Sequence, residues 1–152
     1  MECLTCKSNS GEQRISPGPT IYEGQYWLVE HAYPVKRVGW LVIVLKRHAE
    51  ALHDLSAEEF TELGGLLSLT THFLSEDLHN QNEYISCYGE AEGFPHIHFH
   101  VFAKPADLPE ELKGGKSFSL LKVSREEAVP PGEIVAFCET LHNKFKQQAG
   151  SR

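Results

Sequence analysis

The segment His96-Ile97-His98-Phe99-His100-Val101 alternates imidazole and apolar side chains at every second position. In an extended strand, side chains at i, i+2 and i+4 share a face, so the three histidines are expected in a row, with Ile97, Phe99 and Val101 turned into a core. At ~3.3 Å per residue the ends of that row stand roughly 13 Å apart, against a zinc–nitrogen bond of about 2.0–2.1 Å. A straight strand therefore cannot bring all three rings to one metal, and at least two tasks are divided among them. Neutral imidazole is a nucleophile, a hydrogen-bond acceptor or a donor, and its pKa of about 6.5 permits proton transfer near neutrality. A row of such rings suits an anionic substrate such as a polyphosphate, one ring attacking while its neighbour donates to a phosphoryl oxygen or the leaving group. The plainer alternative, a row of solvated histidines, fits poorly with a segment otherwise built of Phe, Ile and Val.

The rest of the chain supplies partners for that strand. Residues 20–24 and 25–32 are rich in β-branched and aromatic side chains and meet at Gly24, as two strands around a turn would. Gly39 to Lys46, GWLVIVLK, is an almost unbroken apolar run of strand length and reads as a central strand. Ser56 with Glu59 matches a capping box, and Phe60, Leu63, Leu66, Leu67, Thr70, Phe73 and Leu74 follow at helical spacing, predicting a long helix over 56–79. Glu83 to Gly89 reads as another strand, and residues 105–117 as loop with at most a short helical turn. Ile134, Phe137, Leu141 and Phe145 mark a second amphipathic helix beyond Pro130-Pro131-Gly132. No repeat or linker interrupts the sequence, so the expectation is one α+β domain over 1–152 with a mainly antiparallel sheet, a long central helix and a C-terminal helix.

Composition narrows the function. A chain of 152 residues with 41% hydrophobic content can bury roughly 70% of its unfolded surface without cross-links. A formal net charge of −7 disfavours broad binding to nucleic acid or anionic membrane, while leaving room for a local site for a small anion. No run of about 18 apolar residues is present, and the first residues lack the basic start and apolar core of a secretory signal. A cytoplasmic protein is expected, in which Cys3, Cys6, Cys87 and Cys138 stay reduced. Gly115-Lys116-Ser117 imitates the end of a phosphate-binding P-loop, but Glu110 stands where that motif needs glycine.

His96-Ile97-His98-Phe99-His100-Val101-Phe102 resembles the His-φ-His-φ-His-φ-φ signature of the histidine triad (HIT) family of nucleotide hydrolases and transferases. The likeness continues upstream in Gly39 to His48, similar to the family's strand ending in Lys-x-His, in LHDLSAEE after it, and in Tyr22-Glu23, so it covers about residues 3–104, with 105–152 as a C-terminal extension. The resemblance implies a compact α+β fold, commonly a homodimer, and two-step chemistry on an α-phosphate. His98 would attack to form a nucleotidyl-imidazole, which water then hydrolyses, and His100 would hydrogen-bond the phosphoryl oxygens or leaving group. The scheme requires no magnesium. Many family members carry Gly-Gln-Ser/Thr-Val before the first triad histidine, where this chain has GEAEGFP, so those phosphate contacts do not carry over. That loop resembles a bacterial subgroup described as diadenosine polyphosphate hydrolases. Ala103-Lys104 stands where Pro-Arg is frequent, with Lys104 expected to keep the charge.

Cys3-x-x-Cys6 has the spacing of half a structural zinc site, which histidines would complete as Cys2His2. The plain alternative is two reduced cysteines on a frayed N-terminal segment. Branches of the HIT superfamily, including the galactose-1-phosphate uridylyltransferases, are similar in carrying such a motif. That likeness implies a structural zinc held by Cys3, Cys6, His48 and His96, leaving His98 and His100 for phosphate. His31, His53, His72, His79 and His142 are expected at the surface or on helix sides, Glu90 and Glu92 in a loop near the site with a plain loop role or one in the zinc shell, Cys87 as a buried small hydrophobe, and Trp27 and Trp40 in the core or a pocket wall. Two other function classes compete with the hydrolase: a nucleotide-binding module with little turnover, and a cupin-like metalloenzyme using two of the histidines with a Glu. The long helix and the lack of a regular series of short strands argue against the last.

Overall fold

The computed structural model describes residues 2–150. Its frame is a five-stranded antiparallel sheet made of β1 (Tyr22–Glu23), β2 (Trp27–His31), β3 (Trp40–Leu45), β4 (Asn82–Ser86) and β5 (His98–Lys104). The strand order is β1-β2-β3-β5-β4, so the apolar run predicted to be central is central. Three helices accompany it, α1 (Leu4–Ser10), α2 (Ala57–Leu78) and α3 (Pro131–Gly150), with short 3-10 segments at Leu52–Asp54, Glu110–Leu112 and Gly114–Leu121.

Helix α2 begins where its sequence says it should. The Ser56 hydroxyl accepts from the Glu59 amide at 3.1 Å, and the Glu59 carboxylate accepts from the Ser56 amide in return, satisfying two of the N–H groups that a helix start leaves unpaired. The helix ends at His79, which takes a left-handed conformation (φ 51°). Leu63, Leu66, Thr70, Phe73 and Leu74 are buried along one stripe. Phe60, expected in that stripe, is 44% exposed, and its neighbour Glu59 is buried instead, its carboxylate held by Arg47. The backbone of that turn receives the Trp27 indole N–H at the Glu59 carbonyl, 2.8 Å away, locking α2 to β2.

Register divides the sheet into two faces. Val42 opposes His100 and Val44 opposes His98, while Leu41 opposes Val101 and Ile43 opposes Phe99. The Leu41 and Ile43 face, with Trp27, Val29 and Val101, lies under α2 and α3 and forms the core. Helix α3 closes it with Ile134, Phe137, Leu141 and Phe145, the four positions that marked it in the sequence. The opposite face carries His98 and His100 and is roofed by α1, by the loop before β5 and by the 3-10 segment Gly114–Leu121. Two of those three roof elements are unforeseen: α1 lies in a segment read as frayed or metal-bound, and the 3-10 stretch Gly114–Leu121 starts in the segment read as loop and runs past its end.

Candidate active site and metal cluster

The histidine row is broken, and the break is the first fact about the site. Strand β5 begins at His98, not His96. The preceding chain turns tightly, the Phe94 amide donating to Ala91 O and the His96 amide to Phe94 O, both at 2.8 Å. His96 is thereby swung out of the row and fully buried. Its ring donates from Nε2 to the Leu45 carbonyl at 2.7 Å. A carbonyl can only accept, so Nδ1 carries the free lone pair, and it lies 3.6 Å from both Cys3 Sγ and Cys6 Sγ.

His48 joins from the end of β3, its Nδ1 3.4 Å from Cys6 Sγ. One ligand atom from each of Cys3, Cys6, His48 and His96 lies within 4.8 Å of the other three. A tetrahedral zinc with Zn–S about 2.3 Å and Zn–N about 2.05 Å separates its sulfur and nitrogen ligands by about 3.6 Å, so the three S···N spacings of 3.4 to 3.6 Å match that polyhedron. The outer contacts match as well, since the second nitrogen of each ring faces an oxygen, Leu45 O for His96 and Glu50 Oε1 at 3.1 Å for His48. Such contacts fix ring orientation and raise ligand basicity.

Helix α1 is the device that delivers the cysteines. Cys3 caps it, its sulfur accepting from the Cys6 amide at 3.4 Å, and the helix closes on Gly11 in the left-handed region (φ 82°). The Leu4 amide donates to Gly93 O at 2.8 Å, tying the helix to the loop before β5. Gly93 has φ 84°, a backbone conformation that calls for glycine, and a Cβ there would sit 3.0 Å from Leu4 Cδ1, which would have to give way by a few tenths of an ångström.

His98 and His100 remain on the open face, their ring centroids 4.9 Å apart. Their hydrogen bonds set opposite tautomers. His98 Nδ1 donates to His96 O at 2.7 Å, which leaves Nε2 as a bare lone pair. His100 Nδ1 accepts from the Trp40 indole N–H at 2.9 Å, and because indole nitrogen only donates, the His100 proton must sit on Nε2. Burial holds His98 below the usual histidine range and, with His98 beside it, pushes His100 down to about 4. At neutral pH the pair thus offers a nucleophile and a neutral donor.

Both rings line a cavity of about 390 Å³, within the size range of small-molecule sites. Its wall runs from α1 (Thr5, Ser8, Asn9) across Val42 and Val44 to Phe94 and Phe118. Glu30 also lines it, but its carboxylate is occupied by a bidentate Arg14 at 2.8 and 3.1 Å and by the Thr20 hydroxyl at 2.7 Å.

Other expectations need correction. His31, expected at the surface, is 1% exposed. It donates from Nδ1 to Ala32 O at 2.8 Å and accepts the Gly39 amide on Nε2 at 3.1 Å, and burial pushes its pKa down to about 4. Lys104 does not serve the site. It lies past Phe102 on β5, buried, with its ammonium on the Gln81 side-chain oxygen. Cys87 is only half-buried and follows β4 instead of lying within it. Glu90 and Glu92 are exposed on the loop. Phe118 was not singled out at all, because nothing in a Gly- and Lys-rich segment signals that it will roof a sheet.

No protein-family model and no curated protein matches the chain. Solved structures do. A zinc-bound histidine triad family protein from Mycobacterium smegmatis superposes with a TM-score of 0.62 at 20% identity, over 96% of each chain. A Hit-like protein involved in cell-cycle regulation from Bartonella henselae gives 0.70 at 12% identity, over 93% of this chain and 94% of that one. This chain has the histidine triad fold. A histidine triad protein from Bradyrhizobium japonicum, at 0.68 and 19% identity over 83% and 89% of the two chains, carries the same arrangement of sheet and helices. Among the described residues, no helix is long and apolar enough to cross a membrane.

Proposed function

We propose that the protein is a histidine triad family enzyme, a nucleotide hydrolase or nucleotidyl transferase acting at an α-phosphate. The observation that carries this reading is the pair of opposite tautomers at one cavity. His98 Nε2 attacks phosphorus, forming a nitrogen–phosphorus bond as the bond to the leaving group breaks with its electron pair. His100 Nε2–H hydrogen-bonds the phosphoryl oxygens or the departing atom without giving up its proton, since a neutral imidazole that lost it would become an imidazolate. Water then attacks phosphorus, His98 departs with the bonding pair, and a nucleoside monophosphate and a proton are released. Substrates of this reading are dinucleoside polyphosphates and nucleoside phosphoramidates, in the diadenosine polyphosphate hydrolase-like subgroup that the loop sequence resembles.

Cys3, Cys6, His48 and His96 would hold a zinc ion as a closed four-ligand set. Bound there, zinc supplies cross-linking of α1 to β3 and β5, not Lewis-acid chemistry, since no ligand position is left for substrate. A homodimer and a cytoplasmic setting belong to the same reading, the first measurable by light scattering, and all four cysteines are free.

A second reading, a nucleotide-binding module with little turnover, is favoured by one observation. The loop residues that line the cavity are Ala91 and Phe94, which offer no side-chain donor where the family commonly has Gln and Ser/Thr. Incubation with adenosine phosphoramidate and with diadenosine tetraphosphate, with and without chelator, separates the two. Release of AMP with an adenylylated protein intermediate, both lost in His98→Ala, is expected. Binding of AMP without release from either compound would establish the second reading instead.

A further inference from the structure

Two adjoining loops gather four cations in an otherwise acidic chain. Residues 33–38 and 120–129 hold Lys36, Arg37, Lys122 and Arg125 against two carboxylates, Glu126 and Glu127, whereas in the whole chain 14 Lys and Arg face 21 Asp and Glu. The backbone clamps the loops together, the Lys36 amide donating to Leu120 O at 2.9 Å and the Val129 amide to Val35 O at 2.8 Å. Among the described residues, none of the four cations has an ion-pair or side-chain hydrogen-bond partner. Lys36, Lys122 and Arg125 are exposed. The Arg125 guanidinium lies over the Tyr33 ring, 5.6 Å from its centroid. Stacking of this kind holds a guanidinium in place without occupying its five N–H donors, which stay open to an anion.

These loops border the cavity that holds His98 and His100. Tyr33 and Pro34 from the first loop and Leu121 from the second are among its walls. No Lys or Arg lines the interior, and the one carboxylate there, Glu30, is engaged by Arg14 and Thr20. On the His98 side, the loop before β5 exposes Glu90 and Glu92. The cavity therefore has an acidic margin and a basic one. A ligand whose reacting phosphate sits at His98 meets unpaired cations at the basic margin. Strand β2, which leads into Tyr33, and β5 flank β3 in the sheet, so that margin stands roughly 10 Å or more from the histidine strand. A nucleoside fits between them.

Resting on the reading of this cavity as a nucleotide site, we propose that the basic margin is a second phosphate site. It takes a phosphate carried by the nucleoside itself, not by the leaving group, as in a nucleoside 3′,5′-bisphosphate or the 5′-terminal nucleotide of a short oligonucleotide. Arg125 presents the forked N–H donors that fit phosphate, and Lys36, Arg37 and Lys122 add charge around it. The two phosphates are then held by different chemistry, the reacting one by neutral imidazoles and the distant one by cations. No bond changes at the second phosphate, so the site binds ground and transition states alike and acts on KM, not kcat.

Calorimetry compares AMP, adenosine 3′,5′-bisphosphate and the 5′-phosphorylated dinucleotide pApA on the wild type, Lys122→Glu, Arg125→Glu and Lys146→Glu. The last makes the same charge change on α3, across the sheet. In the wild type, at least one of the two doubly phosphorylated ligands should bind about tenfold more tightly than AMP, the worth of one charge-assisted hydrogen bond. That advantage should shrink at high salt. It should largely vanish in Arg125→Glu, fall in Lys122→Glu and persist in Lys146→Glu. An advantage already present with the bisphosphate identifies a terminal phosphate as the occupant, and one present with pApA alone identifies a strand. Equal binding of all three ligands, an advantage that neither rim substitution lowers, or one that Lys146→Glu lowers equally, would overturn the proposal while leaving the nucleotide cavity in place. If AMP itself does not bind, the reading of the cavity fails and the second site fails with it.

Discussion

Replacing Trp40 by Phe removes one hydrogen atom's worth of chemistry from the site while keeping a ring between Phe102 and Phe118. In the native protein the indole N–H, 2.9 Å from His100 Nδ1, forbids a proton on that nitrogen and so obliges one on Nε2. Without it, the ring can carry its proton on either nitrogen. A net hydrogen bond contributes about 0.5–1.5 kcal/mol, equivalent to a bias of roughly 2- to 13-fold in the tautomer ratio. The fraction of molecules with the wrong tautomer presents a lone pair, not a donor, to the phosphoryl oxygens. In an even mixture about half the molecules hold the wrong tautomer, so kcat should drop by about twofold with KM moved less, well short of the ~10²–10³ expected when an oxyanion donor is deleted outright, as in His100→Ala. Nitrogen-15 spectra of ring-labelled histidine check the cause directly. A single Nε2–H form for His100 is expected in the wild type, and a mixture in Trp40→Phe. An Nδ1–H form in the wild type, or an unchanged single form in the variant, would refute the reasoning.

Three further outcomes are expected. His31 has a folded-state pKa of about 4 against 6.5, so between those values the unfolded chain binds a proton that the folded chain does not. Stability from this group is complete above pH 6.5 and is lost as pH falls toward 4, by about 3 kcal/mol over the window. Urea titrations of His31→Gln, which keeps an acceptor for the Gly39 amide, should show a loss smaller by about that amount. The Thr70 hydroxyl is buried with no partner among the described residues, so Thr70→Val should raise the unfolding free energy by about 1 kcal/mol, and a fall would mean that the hydroxyl is satisfied. Purified protein should carry about one zinc per chain by mass spectrometry and lose it in Cys3→Ser, with a lower Tm after chelation. Wild-type protein that takes up no zinc would reject the cluster as a metal site.

The legible parts of this fold are those where one local rule suffices. The Ser56–Glu59 box names the start of α2, the unbroken run from Trp40 to Leu45 names the central strand, and the spacing of Ile134, Phe137, Leu141 and Phe145 names α3. The illegible parts depend on tertiary contacts. Helix α1 has seven residues, too few to be stable alone, and it is held by the Leu4 amide on Gly93 O and by the Asn9 side-chain amide, which donates to Leu45 O and Lys46 O at the end of β3. Burial of His31 is equally invisible, because its ring is satisfied by two backbone groups that the sequence does not mark. The alternation at 96–101 correctly announced a strand but overstated its length by one histidine. A period of two cannot show that the Ala91–Pro95 turn carries His96 out of register.

That displaced residue joins the metal cluster to the chemistry. The His96 ring points its Nδ1 at the cysteines, while its carbonyl accepts the Nδ1–H of His98. The same residue thus anchors α1, whose Thr5, Ser8 and Asn9 line the cavity beside His98, and sets the tautomer of His98. Losing the cluster should therefore damage the site at two points even though the metal performs no step. In Cys3→Ser/Cys6→Ser, α1 loses its tether, KM for the nucleotide should rise, and His98 should show a second ring tautomer in nitrogen-15 spectra as His96 becomes free to shift. Adding His98→Ala in the same background should abolish the turnover that remains while leaving the weakened AMP binding unchanged. A double-serine protein with wild-type AMP affinity and an unaltered His98 signal would show that the cluster supports the fold without reaching the site.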